Sequence, residues 1–148
     1  MTTLAATDLN IKNIHQSSFG NAVIYEGKVT LSANPTAADL IRLVRIPGGT
    51  RVVRVEILTD DLDAHVSPEL AIKGGYTPVN SDDGPTADDD YWWATGATIL
   101  QSSGRKESTS DPKTFDYDVW VDLYVEVDAA TFAAGDVHCI VYGYGIGR

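Results

Sequence analysis

The chain has 148 residues, 43% of them hydrophobic, which is enough for one hydrophobic core and predicts a single folded domain. Its formal net charge of −10 repels polyphosphates, so nucleic-acid binding is not expected, and its single cysteine excludes an intrachain disulfide. The sequence has neither a bilayer-spanning run of roughly 20 apolar residues nor a secretory signal, so we expect cytosolic synthesis and no membrane partner.

The first 20 residues are mostly polar and show no sustained hydrophobic period. Ile11, Ile14 and Phe19 stand out in them as isolated apolar positions. This pattern predicts an N-terminal arm, or a first irregular strand, over residues 1–20, ahead of a folded domain over residues 21–148. Apolar side chains on an arm lie outside the core, which makes these three residues candidates for contact with a partner.

Residues 22–31 alternate apolar and polar side chains, which predicts a half-buried strand. Its inward face would carry Val23, Tyr25, Val29 and Leu31. Residues 39–46 and 51–59 predict two further strands, joined by the short link Pro47-Gly48-Gly49, and so short a link favours a hairpin. In the second of these strands, the residues expected to face inward are Val53, Val55 and Ile57, opposite Arg54 and Glu56.

The middle of the chain is more polar and predicts short elements between loops. Residues 69–73 predict a short strand with Leu70 and Ile72 inward, which Gly74-Gly75 would end. After it we expect an exposed loop at 76–90, one helical turn at 91–94, a short strand at 98–100 and a second loop at 101–113.

Residues 114–128 form the clearest pattern and predict one long strand with one wet face. Its core side would carry Val119, Val121, Leu123 and Val125, with Asp118, Asp122 and Glu126 facing water or a partner. Residues 137–144 predict a closing strand. Because no helical pattern of ten or more residues occurs, the sequence predicts an all-β, jelly-roll-like antiparallel β-sandwich.

Residues that could carry chemistry are sparse. The histidines His15, His65 and His138 have no Gly-x-Ser-x-Gly elbow beside them, and Cys139 lies in an apolar run typical of a buried thiol. The acidic clusters at residues 60–63 and 82–90 lack EF-hand spacing, so solvated loops are favoured, with a calcium site left open. We therefore expect no catalytic residue and no cofactor.

Tyr91-Trp92-Trp93 is the strongest candidate for binding, because adjacent large aromatics in a polar segment are costly to expose and are common at protein interfaces. Adjacent residues usually point in different directions. We therefore expect one of the two tryptophans to fold inward and the other to lie at a contact.

The segment from residue 39 to residue 63 resembles the central hairpin of tailed-bacteriophage capsid decoration proteins, also called cement or head-stabilising proteins. The similar features are a strand ending in the turn Ile46-Pro47-Gly48-Gly49, a second strand, and the corner Asp61-Leu62-Asp63. Residues 129–136, ahead of the closing strand, also fit. The resemblance implies a homo-oligomer, a dimer or trimer, that binds the major capsid protein on the outside of the virion and stabilises the head, after synthesis in the host bacterial cytoplasm.

A carbohydrate-binding β-sandwich module is the alternative, in which Tyr91, Trp92 and Trp93 would stack on sugars with or without calcium. The loops 76–90 and 101–113 are longer than the decoration family needs, which keeps a glycan- or receptor-facing role open. An enzyme ranks third, because no His/Glu metal set with short spacing occurs.

Overall fold

The computed structural model describes residues 1–5, 22–82 and 86–146, and within them it contains ten β-strands and no helix. The strands are β1 (Thr3–Ala5), β2 (Ala22–Leu31), β3 (Leu40–Ile46), β4 (Thr50–Thr59), β5 (Ala71–Pro78), β6 (Asp88–Ala97), β7 (Gly104–Glu107), β8 (Lys113–Phe115), β9 (Val119–Val127) and β10 (Gly135–Gly145).

The strands form two sheets. Sheet A has the order β1-β3-β9-β5-β6, and sheet B has the order β2-β10-β4-β7, with β8 also paired to β4. All pairings are antiparallel except that of β1 with β3, which is parallel. The chain passes repeatedly from one sheet to the other, and the prediction of an all-β, jelly-roll-like sandwich is confirmed.

The two sheets share one core. Sheet A contributes Ile41, Leu43, Val121 and Leu123 among others, and sheet B contributes Val55, Ile57, Val137 and Val141. Each such side chain stabilises the fold by about 1.5–3 kcal/mol relative to its exposed state. On one side the sheets nearly touch, since a Cβ on Gly27 of β2 would stand 2.0 Å from the carbonyl oxygen of Leu43 in β3. Only glycine permits this approach.

Three of the predicted strands are present in the structure. Strand β2 covers residues 22–31 and buries its odd-numbered side chains, and β10 contains the predicted closing strand. In β9 the side chains predicted to face inward, Val119, Val121, Leu123 and Val125, are all buried. Alternation of apolar and polar residues was a sufficient signal here because each of these strands has one face on the core.

The hairpin expected from residues 39–59 is wrong. Strand β3 pairs with β1 and β9 in sheet A, whereas β4 pairs with β10, β7 and β8 in sheet B. The link Pro47–Gly49 therefore crosses between the sheets. Asp118 and Phe115 hold it there, accepting hydrogen bonds from the Gly48 and Gly49 amides at 2.8 Å each.

The single long strand expected over residues 114–128 is also divided. Residues 113–115 form β8 in sheet B, the chain bends at residues 116–117, and β9 begins at Val119 in sheet A. Phe115 before the bend and Val119 after it have the same parity and are both buried, whereas Tyr117 at the bend is 48% exposed. The sequence pattern reports which side chains face inward, and it does not report which sheet they belong to.

The middle of the chain contains more strand than expected. Gly74-Gly75 does not end β5, which continues to Pro78, so residues 76–78 and 88–90 of the predicted loop lie in strands. The predicted helical turn at 91–94 is part of β6, and the predicted strand at 98–100 is a turn. Strand β7 lies inside the predicted loop at 101–113.

Strand β1 ties the start of the chain to sheet A. Thr3–Ala5 pair with Leu40–Arg42, and the Thr2 amide donates to Asp39 Oδ1 at 3.0 Å. Residues 3–5 of the predicted arm are thus part of a sheet. The three arm candidates, Ile11, Ile14 and Phe19, lie outside the described residues.

Candidate interaction surface

Tyr91, Trp92 and Trp93 lie in β6, at the edge of sheet A, and the two indoles are buried, with exposed fractions of 3% for Trp92 and 7% for Trp93. Adjacent strand residues normally alternate, but the pairing of β5 with β6 has two register shifts, so extra β6 residues bulge out of the ladder. The bulges allow both indoles to turn inward. The expectation that one tryptophan stays free is therefore wrong.

Trp92 belongs to an aromatic cluster that closes the β6 side of the sandwich. Tyr91 meets Trp92 edge-to-face with ring centroids 4.7 Å apart, and Tyr76 meets Phe115 of β8 at 5.0 Å. Tyr76 and Tyr91 come from sheet A and Phe115 from sheet B, so the rings bridge the sheets. Such pairs add about 0.5–1.5 kcal/mol each beyond the burial of their area.

Tyr91 is the half-buried member of this cluster. Its hydroxyl donates to the Asp111 carbonyl at 2.9 Å, and the Lys113 ammonium lies 4.6 Å from its ring centroid. Burial raises the pKa of the Tyr91 phenol, although Lys113 opposes the shift. Because Tyr91 is engaged and both tryptophans are buried, these residues do not form the flat exposed platform that the carbohydrate-binding alternative needs.

The outer face of sheet A carries a network that the sequence did not reveal. Arg42 donates from Nε and Nη2 to the two carboxylate oxygens of Asp122, at 2.9 and 3.0 Å. Asp122 is fully buried within this chain, whereas the alternation predicted that it faces water or a partner. Two guanidinium groups lie over the Trp120 ring, that of Arg42 at 5.1 Å and that of Arg45 at 5.7 Å from the ring centroid. The outer face of sheet A is therefore ordered by an ion pair and by arginine–tryptophan contacts, while its inner face packs in the core.

Glu56 on the outer face of sheet B is buried as well. It lies between the core residues Val55 and Ile57 in sequence and points away from the core, yet none of its surface is exposed. Arg105 Nη1 lies 3.0 Å from Glu56 Oε1, and Arg54 Nε lies 3.7 Å from Oε2. The two arginines compensate a charge that would otherwise be costly to bury.

An apolar patch lies on the outer face of sheet B, and we name it the sheet B patch. It consists of Ile24, Val53, Tyr142 and Tyr144, with Arg54 stacked 4.3 Å above the Tyr142 ring. Ile24 is 51% exposed and lies directly opposite Tyr142 in the β2–β10 pair. Aromatic, aliphatic and Arg side chains are the composition typical of protein-binding hot spots.

Val53 reaches this patch because of a β-bulge. Tyr142 pairs with Arg54 while Gly143 pairs with Val52, which leaves Val53 as an extra residue in β4. The expectation that Val53 faces inward is wrong, since it is 48% exposed, while Val52 is buried in its place. Strict alternation cannot detect a bulge, and bulges commonly re-aim side chains at functional surfaces.

A second exposed apolar side chain, Val66, lies on a loop that hydrogen bonds to Asp63 hold in place. This buried carboxylate accepts hydrogen bonds from the amides of Glu69 at 2.7 Å and of Leu70, Ala130 and Thr131 at 3.0 Å. Desolvation raises its pKa, but the backbone donors dominate and hold the pKa of Asp63 well below its usual range. The loop that Asp63 fastens presents Val66 almost fully to solvent.

The described part of the chain contains neither an exposed cysteine nor a cluster of side chains that could hold a metal ion. Cys139 is buried, and burial raises the pKa of its thiol, which makes it an unreactive core residue as predicted. Within residues 1–5, 22–82 and 86–146, no group of three or more His, Cys, Asp or Glu side chains could hold a metal ion. His138 lies 3.5 Å from Glu26 on the outer face of sheet B.

None of the described residues form a helix long and apolar enough to cross a bilayer.

Comparisons with known proteins find the fold in two phage structures. A chain of the capsid of Ralstonia phage GP4 matches with a TM-score of 0.79 and 20% identity, covering 99% of each chain. A chain of the cyanophage Pam1 capsid asymmetric unit matches with a TM-score of 0.70 and 22% identity, covering 91% of this chain and 92% of the other. No protein-family model and no curated protein sequence matches. At this level of identity, what the two similarities establish is that this chain has a fold found in phage capsids.

Proposed function

We propose that this chain is a structural, non-enzymatic protein of a bacteriophage virion, which binds the outside of the capsid as a homo-oligomer and stabilises the head. The observation that carries the proposal is the similarity to a chain of the Ralstonia phage GP4 capsid over 99% of both chains. Such coverage means that the two chains are almost equal in length and that the similarity extends over the whole of each chain rather than over one part of it.

The properties of the sequence support the same role. The net charge of −10 suits a protein that stays soluble in the cytoplasm until it meets a specific surface, and it disfavours a place against packaged DNA. The described residues offer two sheet faces on which arginine side chains stack on aromatic rings, Arg42 and Arg45 on Trp120 and Arg54 on Tyr142. A protein that works through its surface needs this kind of rigid scaffold and nothing more.

The sheet B patch is the contact surface we propose for the major capsid protein. Burying Ile24, Val53 and Tyr142 removes apolar area from water, and a well-packed aromatic anchor contributes about 2 kcal/mol or more to binding. Because a homo-oligomer can contact several equivalent capsid sites at once, modest affinity per copy is sufficient for high occupancy of the shell. Ile11, Ile14 and Phe19 remain proposed contacts of the arm, and Tyr91 remains a proposed contact at the β6 edge.

The direct test is to compare virions with and without the protein. Particles that lack it should release DNA at a lower temperature, and adding purified protein should restore their resistance. Electron microscopy of restored particles should show density for the chain on the outer surface. Equal heat resistance in its absence would remove the stabilising role.

The contact surface is tested by substitutions that leave the core intact. The pair Val53→Ser with Tyr142→Ser should keep the melting temperature within a few degrees and lower occupancy on particles at least about tenfold. Val127→Ser is the matched control, since Val127 is exposed at the end of β9 in the other sheet. Equal occupancy for both proteins would show that the sheet B patch is not the contact.

The arm needs substitutions rather than deletion, because removal of the first residues would also remove β1. Changing Ile11, Ile14 and Phe19 together to Ser preserves Thr3–Ala5 and their pairing with β3. If these residues contact the capsid, the variant should fold normally and bind particles more weakly than the wild type. Wild-type occupancy would exclude them as contacts.

A further inference from the structure

The lateral edges of the two sheets differ in a way that bears on self-association. Strand β1 has three residues, β7 has four, and β6 has two register shifts, so these edges are short or irregular. Strand β2 has ten residues and pairs with β10 from Ala22 to Leu31 without a shift. In the described part of the chain, no strand pairs with the other side of β2. Long regular edges readily add another strand.

The sequence of β2 is self-complementary in charge about Gly27. Glu26 and Lys28 flank it on the outer face, with side chains 43% and 54% exposed. If two copies of β2 run antiparallel with the two Gly27 residues opposite each other, Glu26 of each copy faces Lys28 of the other. In the same register Ile24 faces Thr30, and no like charges oppose. Opposite-charge pairs stabilise an antiparallel sheet, whereas like-charge pairs destabilise it.

Neighbouring strand β10 holds both charged side chains in place. Lys28 Nζ donates to Asp136 at 2.5 Å, and His138 Nε2 lies 3.5 Å from a Glu26 carboxylate oxygen. In the paired dimer, four charged or titratable side chains would therefore line up across the interface. Asp136 and Lys28 come from one copy, and Glu26 and His138 come from the other. Side chains already ordered by neighbours lose less entropy when they form a new contact.

We propose that a second copy of this chain occupies the β2 edge, forming an antiparallel β2–β2 pair about a two-fold axis at Gly27. The inference rests on the proposed function only in that a decorating homo-oligomer is expected to self-associate. It adds the interface, the register and the symmetry. Sheet B then continues from one copy into the other, and the two sheet B patches lie on the same face of the dimer, where both can reach one surface.

A charge-swap cycle measured by sedimentation equilibrium tests the pairing. Wild-type protein should dimerise. Glu26→Lys and Lys28→Glu should each weaken the dimer by about tenfold, because each creates two like-charge pairs per dimer. The double variant carrying both changes restores opposite charges across the interface and should dimerise more tightly than either single variant, although the swap places an acidic side chain beside Asp136 and so recovers only part of the loss. Lys106→Glu on β7, at the opposite edge of sheet B, changes the net charge as Lys28→Glu does and should have no effect.

Disulfide trapping tests the register. The double variant Ile24→Cys with Thr30→Cys should give a covalent dimer on mild oxidation, since the register places each new thiol beside its counterpart in the other copy. Ile24→Cys alone should not, because two copies of position 24 lie far apart in this arrangement. Cys139 is buried and should not interfere.

The outcomes separate the dimer from the proposed function, because association is measured on purified protein and function on particles. Equal dimerisation of all four charge variants, or a double variant that dimerises no better than either single variant, overturns the β2 interface whatever the particles show. If the wild type is monomeric and single swaps abolish particle binding, a capsid strand occupies the edge and the second-copy inference is wrong. A β2 dimer that neither binds nor protects particles leaves the interface standing and removes the proposed function.

Discussion

Trp93 packs directly on Gly74, with its Cε3 atom 2.6 Å from the place where a Cβ on Gly74 would stand. The Leu123 side chain lies 2.9 Å from the same point. Gly74-Gly75, which looks like a strand terminator in sequence, is therefore a recess in β5 that accepts an indole. The burial of Trp93 depends on the absence of a side chain at residue 74.

Gly74→Ala should therefore destabilise the fold, since the new methyl group forces Trp93 or Leu123 to move within a packed core. We expect a loss of about 1–3 kcal/mol, seen as a melting temperature lower by about 2–4 °C per kcal/mol. Gly145→Ala is the control, because a Cβ there meets no atom within 4 Å. Equal melting of the two variants would contradict the packing described.

Arg42→Ala should leave the fully buried Asp122 carboxylate without its bidentate partner. We expect the free energy of unfolding, measured by chemical denaturation, to fall by about 3 kcal/mol or more. Arg45→Ala removes a guanidinium from a far more exposed pair with Asp118 and should cost about 1 kcal/mol or less. If the free energy of unfolding falls by the same small amount in both variants, Arg42 is not the group that compensates the charge of Asp122.

Val121→Asp should prevent stable folding, because it places an unpaired charge in the core at the centre of sheet A. Circular dichroism and gel filtration should show an unfolded or aggregated protein. Val127→Asp, at an exposed position of the same strand, should fold normally. A cooperative melt near the wild-type temperature for Val121→Asp would show that the inward face of β9 is assigned wrongly.

Asp63→Asn should lower stability at neutral pH by about 2 kcal/mol or more, because the amide NH₂ confronts backbone N–H donors. The pKa of Asp63 is depressed in the folded protein, so its stabilising effect is full above the unfolded pKa of about 4 and is lost as pH falls through the folded pKa. The difference in the free energy of unfolding between variant and wild type should thus decrease below about pH 4. Asp61→Asn, whose side chain accepts one amide at 3.1 Å, is the control. If this difference in unfolding free energy does not change with pH, the hydrogen bonds from the backbone amides do not depend on the charge of Asp63.

The sequence by itself determined the fold class and much of the core. Alternation predicted the inward residues of β2 and β9, and the apolar run around Cys139 predicted a buried, unreactive thiol. These inferences succeed because a strand with one face on a core must alternate, whatever its neighbours are.

The tertiary structure decided which strands pair, and with them the surfaces. The link Pro47–Gly49 crosses between sheets, and the bulges that bury Trp92 and expose Val53 arise only when β5 and β10 lie alongside their partners. Asp122 is buried because Arg42 arrives from another strand. Alternation is a local property that reports inside or outside, whereas pairing, register and charge compensation are set by residues distant in sequence, whose contacts exist only in the folded chain.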